Sequence, residues 1–319
     1  MKKRLLLTTI VTGMVVSSMS ALPGEAQTAS GTSGKTTGEL AGLGDDSPAM
    51  QQSTHLSPAA ATKAWLDSVP QEKREKSDAY FEGGYWLILW NYLVAAGISI
   101  FLLWSRISAL LRDFSDRLTR SKTLQIASYS AVYLLLVYVL CFPLNVYEHF
   151  VREHQYGLAT QNFPAWFREQ LTGLVILLIG STIFLVVLYA IFRRAPKTWW
   201  LWGTGVAVAF SFFVLIIAPV FIEPLFNTYK PLTKPEISEA ILTMARANQI
   251  PVKQVFEVDA SRQTTRVSAN VSGILGTTRI ALNDNLLNQC TLPEIRAVMA
   301  HEMGHYILNH GAKLLTYLG

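Results

Sequence analysis

Two histidines four residues apart, His301 and His305, enclose Glu302 in the run His301-Glu302-Met303-Gly304-His305. On a helix, positions i and i+4 lie on one face, so both imidazoles project together. Two ring nitrogens in that arrangement reach one Zn2+ at about 2.0–2.1 Å. Glu302 stands beside them, placed to handle a water molecule rather than the metal. The chemistry such a set supports is metal-assisted hydrolysis. The competing reading is an ordinary buried helix with two satisfied histidines. The helix cap, the apolar stripe and the intact motif agree with one another, which chance matches rarely do.

That helix starts at Thr291, an N-cap whose partner Glu294 completes a capping box. Pro293 falls in the first turn, where its missing N–H costs little. Ile295, Val298 and Met299 form an apolar stripe at helical spacing. Gly304 weakens a helix interior by roughly 1 kcal/mol relative to Ala, which predicts a close backbone approach there by the neighbouring hairpin. The ligand set is incomplete. A catalytic zinc takes three protein ligands and a water. The metzincin pattern asks for glycine at 308 and histidine at 311, where this chain has Leu308 and Gly311, and His310 is one position off. Tyr306 to Gly319 hold no acidic residue. The third ligand is therefore expected beyond Gly319, from an unusual upstream position, or not at all. The apolar run that begins at Leu314 reads as the start of a segment cut short.

The rest of the chain must position that helix, and composition assigns it to a membrane. Half of the residues are hydrophobic and 15% are charged. A net charge of +5 with basic residues in short loops suits a membrane protein and not a nucleic-acid binder. Cys141 and Cys290 are too far apart in sequence for a C-x-x-C site, and Cys141 sits in an apolar run. Residues 1–26 read as a secretory signal, or an uncleaved anchor, with Lys2-Lys3-Arg4 before an apolar core. Residues 27–57, rich in Gly, Ser, Thr and Ala, read as a flexible linker. Residues 58–222 form the membrane region. Ala59 to Tyr80 is polar and helical in two pieces broken at Pro70. Four spans follow at about Tyr85–Trp104, Leu124–Leu144, Leu171–Phe192 and Trp199–Phe221, each near the ~20 residues a crossing needs. Trp86, Trp90, Trp104, Trp199, Trp200 and Trp202 crowd their ends as interfacial aromatics do. Arg106, Arg112, Arg117, Arg120 and Lys122 follow the first span, and Arg193, Arg194 and Lys197 the third. Positive-inside bias puts those loops in the cytoplasm and the start of the C-terminal domain outside. The stretch Asn145–Gln170, with Glu148, His149, Arg152, Glu153 and His154, reads as a solvated loop, or as a charged wall of a water-filled chamber.

Residues 223–319 read as a small α+β domain. Pro235–Asn248 is an amphipathic helix, Val252–Val258 a strand, and Arg266–Ser272 with Thr278–Leu282 a hairpin around Gly273 and Gly276. A free strand edge beside a metal helix can pair with an extended substrate. Asn270 in this hairpin is a candidate substrate contact, or simply a turn or strand-end residue.

These residues resemble the integral-membrane zinc metalloproteases of the type I CAAX prenyl endopeptidase family. Phe150 to Leu158 is similar to the family's loop motif, and Pro224-Leu225-Phe226-Asn227 to its exit from the last span. Ser268-Ala269-Asn270 resembles its Ser-Asn-Ala region with the order shifted. Arg279 to Asp284 resembles its Arg-Ile-Val-Leu-Tyr-Asp strand, and His301 to His305, with His310 beyond, its zinc helix. The resemblance implies a barrel of membrane helices around a chamber. It implies one Zn2+ held by His301, His305 and a glutamate on a later helix, with further spans after it. The expected architecture is a mainly α multi-pass membrane protein followed by a small α+β zincin-like domain. The expected function is zinc-dependent endopeptidase activity on peptide or membrane-protein substrates in a lipid bilayer, with Glu302 catalytic and His310 orienting a ligand or substrate. The exported N-terminus points to a bacterial inner membrane with the catalytic domain starting on the periplasmic side. Quality control of envelope proteins would there replace prenylated tails. The alternative is a non-catalytic scaffold or chaperone that keeps the fold; a transporter, with ionisable positions inside its spans, fits less well.

Overall fold

The computed structural model describes residues 57–273, 276–310 and 313. The expected signal, nearly all of the linker and most of the run after His310 lie outside them. The chain opens with α1 (Pro58–Asp67), breaks at Pro70 as its sequence requires, and enters α2 (Gln71–Trp104). The polar piece after Pro70 is continuous with the first span and not a separate helix. A short α3 (Ile107–Leu118) links it to α4 (Lys122–Gln155), and α5 (Phe163–Arg194) and α6 (Trp199–Leu225) complete four helices long and apolar enough to cross a membrane.

Two of these helices run on past the apolar segments through π-turns. Tyr147–Val151 carries α4 beyond Pro143, and Ala218–Ile222 carries α6 over Pro219. The stretch Asn145–Gln170 is therefore not a solvated loop. It is helical to Gln155 and helical again from Phe163, where Asn162 caps α5 by accepting from Ala165 N–H at 3.0 Å.

Four helices of this length, each crossing once, would put the start of α2, the α4–α5 link and the start of the α+β domain on one face, and α3 and the α5–α6 turn on the other. The α+β domain then builds a four-stranded sheet from β1 (Tyr229–Pro231), β2 (Val255–Val258), β3 (Ala269–Ser272) and β4 (Arg279–Asn283), in the order β1-β2-β4-β3. β2 and β4 run parallel, with Val255 opposite Ile280; β3 and β4 form the antiparallel hairpin, with Asn270 opposite Ala281. Gly273 has φ +88°, and a Cβ there would collide with the Thr277 carbonyl, so the turn requires glycine. Strand alternation sends Val255, Ile280 and Leu282 to one face. There they meet α7 (Pro235–Ala247), α8 (Asp284–Gln289) and α9 (Leu292–Ile307). Ile241, Ile280, Leu286, Ile295, Met299 and Met303 are the fully buried centre.

Met299 is 0% exposed in that core. Met299→Ala is expected to destabilise the domain by about 2–5 kcal/mol through lost contacts and a residual cavity, read as a lower midpoint of thermal or denaturant unfolding.

Candidate metal centre

Helix α9 begins where Thr291 N–H donates to Glu294 Oε2 at 2.7 Å and the capping box closes. It is held by its inner stripe. Ile295, Met299 and Met303, four residues apart, pack on the sheet core, and α9 lies against the edge strand β3. At 100° per residue, His301 and His305 then fall on the far side, and both are exposed. Their Nε2 atoms stand 3.0 Å apart. Two nitrogens each about 2.0–2.1 Å from a tetrahedral zinc would be separated by about 3.3 Å, so the pair is set for one metal ion with little movement. His305 uses its other nitrogen: Nδ1 lies 2.7 Å from His310 Nδ1. His310 thus contacts a candidate ligand from behind, the place from which outer partners orient metal-binding imidazoles.

Glu302 falls between the two stripes, at the border of the packed face, and is half-buried. Burial pushes its carboxyl above the ordinary glutamate range, and the neighbouring His301 and His305 pull the other way. A carboxylate raised toward neutrality is better matched to taking and returning a proton near pH 7. Among the described residues, no group of three His, Cys, Asp or Glu side chains could hold a metal ion. Among the described residues, which leave out 274–275 of the hairpin, a Cβ at Gly304 would meet nothing within 4 Å.

The hairpin supplies the surface beside the helix. β3 is the outer strand of the sheet, pairs with β4 alone among the described residues, and is the strand that α9 lies against. Asn270 lies on it, and its Oδ1 is buried with no hydrogen-bond partner among the described residues. The segment entering β3 is fixed from below. Asn283 Oδ1 accepts from Ser268 N–H at 3.0 Å, while Asn283 Nδ2 and Asn285 Nδ2 both donate to the Arg266 carbonyl, at 2.8 and 3.0 Å. From the membrane side, Arg266 pairs with Glu153 at 2.8 Å and donates to the Tyr80 hydroxyl at 2.6 Å; that hydroxyl donates to Glu153 at 2.7 Å. Arg152, 7% exposed, lays its guanidinium 4.0 Å over the Tyr80 ring and donates to the Tyr80 carbonyl. A second tie joins Arg262 and Gln263 to Glu169 of α5, at 2.9 Å each. Sequence reading missed these ties. Their only trace was the density of charge at Arg152, Glu153 and Glu169.

Comparison with known proteins places this arrangement among relatives. A family model described as "CAAX prenyl protease N-terminal, five membrane helices" matches residues 49–228, and one for "Peptidase family M48" matches residues 231–318. The chain is 32% identical over 226 residues to an uncharacterized metalloprotease, YhfN, of Bacillus subtilis, covering 69% of this chain and 53% of that protein. It is 28% identical over 271 residues to a CAAX prenyl protease 1 homolog of Arabidopsis thaliana, covering 82% and 63%. It is 34% identical over 181 residues to CAAX prenyl protease 1 of Saccharomyces cerevisiae, covering 55% and 39%. The chain thus spans between about two fifths and two thirds of the length of these relatives. The crystal structure of S. mikatae Ste24p superposes with a TM-score of 0.70 at 22% identity, over 98% of this chain and 69% of that one, and shows the same fold.

Replacing Arg266 with Ala removes both of its contacts to Glu153 and Tyr80. Loss of a partly exposed charged hydrogen bond of about 1 kcal/mol should speed amide exchange in β3 roughly fivefold. Amides of β1, at the other edge of the sheet, should keep their rates in the same hydrogen-exchange experiment.

Proposed function

The chain belongs to the CAAX prenyl protease family of M48 peptidases, and from that premise we propose that it is the zinc-binding and substrate-docking portion of a membrane metalloendopeptidase. The observation that carries this reading is the pair of Nε2 atoms, 3.0 Å apart on the open side of α9. They lie on the helix that packs against a strand with a free edge. His301 and His305 would hold the zinc, and a third ligand would come from outside the described residues. A zinc ion bound there supplies Lewis acidity toward a peptide carbonyl.

The chain's own residues do the remainder. β3 takes the substrate backbone as an added strand and holds it extended along α9. Asn270 Oδ1, buried and without a partner among the described residues, accepts an N–H from that backbone. The Glu302 carboxylate takes a proton from the attacking water and returns it to the leaving amine. His310 Nδ1 holds the His305 ring in its orientation. The substrates in this reading are peptides or membrane proteins presented in extended form at the bilayer surface. The basic loops around α3 and after α5 sit on the face opposite the α+β domain. Positive-inside bias favours the outer side for the site, and the exported N-terminus supports reading that side as the periplasmic face of a bacterial inner membrane. There envelope proteins are better candidates than prenylated cytosolic tails.

Two measurements on the intact polypeptide test the roles. Glu302→Gln should abolish peptide cleavage while atomic absorption still finds about one zinc per chain; cleavage at the wild-type rate would remove Glu302 from the chemistry. His310→Ala should weaken zinc binding about 10–100-fold in competition with a chromophoric chelator. An unchanged affinity would leave His310 with no role behind His305.

A further inference from the structure

We propose that α3, with the basic residues on its side of the membrane, is a docking surface for anionic lipid. This helix joins the ends of two spans, so both of its termini are held at the bilayer surface. The turn into it is tight, with Arg106 at φ 61°. One flank packs inward. Ser115 is 2% exposed, Ile107 and Leu111 lie against the core around Leu102 and Val137, and the Ser108 and Tyr129 hydroxyls share a 2.7 Å hydrogen bond.

Among the described residues nothing packs against the neighbouring flank. Leu110, Phe114 and Leu118, at i, i+4 and i+8, are 64%, 52% and 62% exposed. Trp104 and Leu124, at the adjoining span ends, are exposed as well. Hydrocarbon that covers those span ends therefore extends under α3, as it does under a helix lying in the membrane interface.

Charge decides which lipid. Residues 105–122 and the turn 193–198 together hold eight basic and two acidic side chains, a net of +6. Arg112 pairs with the adjacent Asp113 at 2.5 Å. Among the described residues, Arg106, Arg117 and Arg120 have no carboxylate at ion-pair distance. On the helical wheel Arg117 borders Leu110, so its stem lies along the apolar stripe and its guanidinium reaches the headgroup level. Guanidinium groups in that position bind phosphate oxygens in charge-assisted pairs. An anionic phospholipid leaflet supplies those oxygens together with the acyl chains that cover Leu110, Phe114 and Leu118. Neither observation depends on the protease reading.

The test uses the whole chain in nanodiscs of phosphatidylcholine doped with phosphatidylglycerol, with retained lipids counted by native mass spectrometry. Retained phosphatidylglycerol should exceed its share of the input and fall with added salt. Arg106→Gln with Arg117→Gln and Arg120→Gln should lower that affinity by roughly fivefold per charge removed. The corresponding triple lysine variant should keep the enrichment. Retention in proportion to input overturns the proposal, as does enrichment that survives the glutamine variant. So does equal loss in the lysine variant, which would show a structural effect and not a charge effect. Displacement by free inorganic phosphate would show a soluble-anion site and overturn it too.

Discussion

A chain that leaves a bilayer and folds into a sheet must fix the angle between the two, and here main-chain hydrogen bonds do so. The link between α4 and α5 runs antiparallel to the segment before β3. Thr160 N–H donates to the Gln263 carbonyl at 3.1 Å, Thr265 N–H donates to the Leu158 carbonyl at 3.0 Å, and Ala159 bridges Thr264. The Thr264 and Thr265 hydroxyls add bonds to Leu158 and Gly157. The membrane helices thus pair with the chain four residues ahead of the edge strand. Gly157, at φ +72°, makes the turn out of α4 that permits this pairing.

The polar cluster beside that pairing holds it against a large entropic cost. Tyr80, Arg152, Glu153 and Arg266 are remote in sequence, so their contact orders three segments at once. Glu153 serves both Tyr80 and Arg266. Arg152 has a different solution. Buried, and with no carboxylate at ion-pair distance among the described residues, it stacks on the Tyr80 ring and donates to a carbonyl. A ring face and a main-chain acceptor offset part of the desolvation of a guanidinium. Truncating one partner of such a cluster leaves the others buried and unpaired, so its members are expected to respond together and not additively.

Legibility from sequence followed the range of the interactions. The capped helix α9, the hairpin at Gly273 and the four spans are set by residues within one or two turns of each other, and all were readable. The stretch from Asn145 to Gln170 was not. Its charges look like solvent exposure, but Glu148 accepts from Asn91, Glu153 from Tyr80 and Glu169 from Arg262, across 57, 73 and 93 positions. No local pattern encodes such partners. Gly304 misled for the opposite reason. A weak helix former suggests a close neighbour, and among the described residues a Cβ there would meet none, so the residue's cost has no packing explanation among them.

The candidate centre is half legible on the same grounds. Spacing alone puts His301 and His305 together, while which side of α9 they face depends on what the other side buries. Ile295, Met299 and Met303 commit one stripe to the core. The wheel then leaves the histidines outward and Glu302 on the boundary. That boundary position gives Glu302 its partial burial, and burial is the largest influence raising its carboxyl. A residue turned fully outward would lose that influence, and one turned fully inward would lose access to water. The packing of three apolar side chains therefore sets the acidity of the group that would move the proton, without any of them touching substrate.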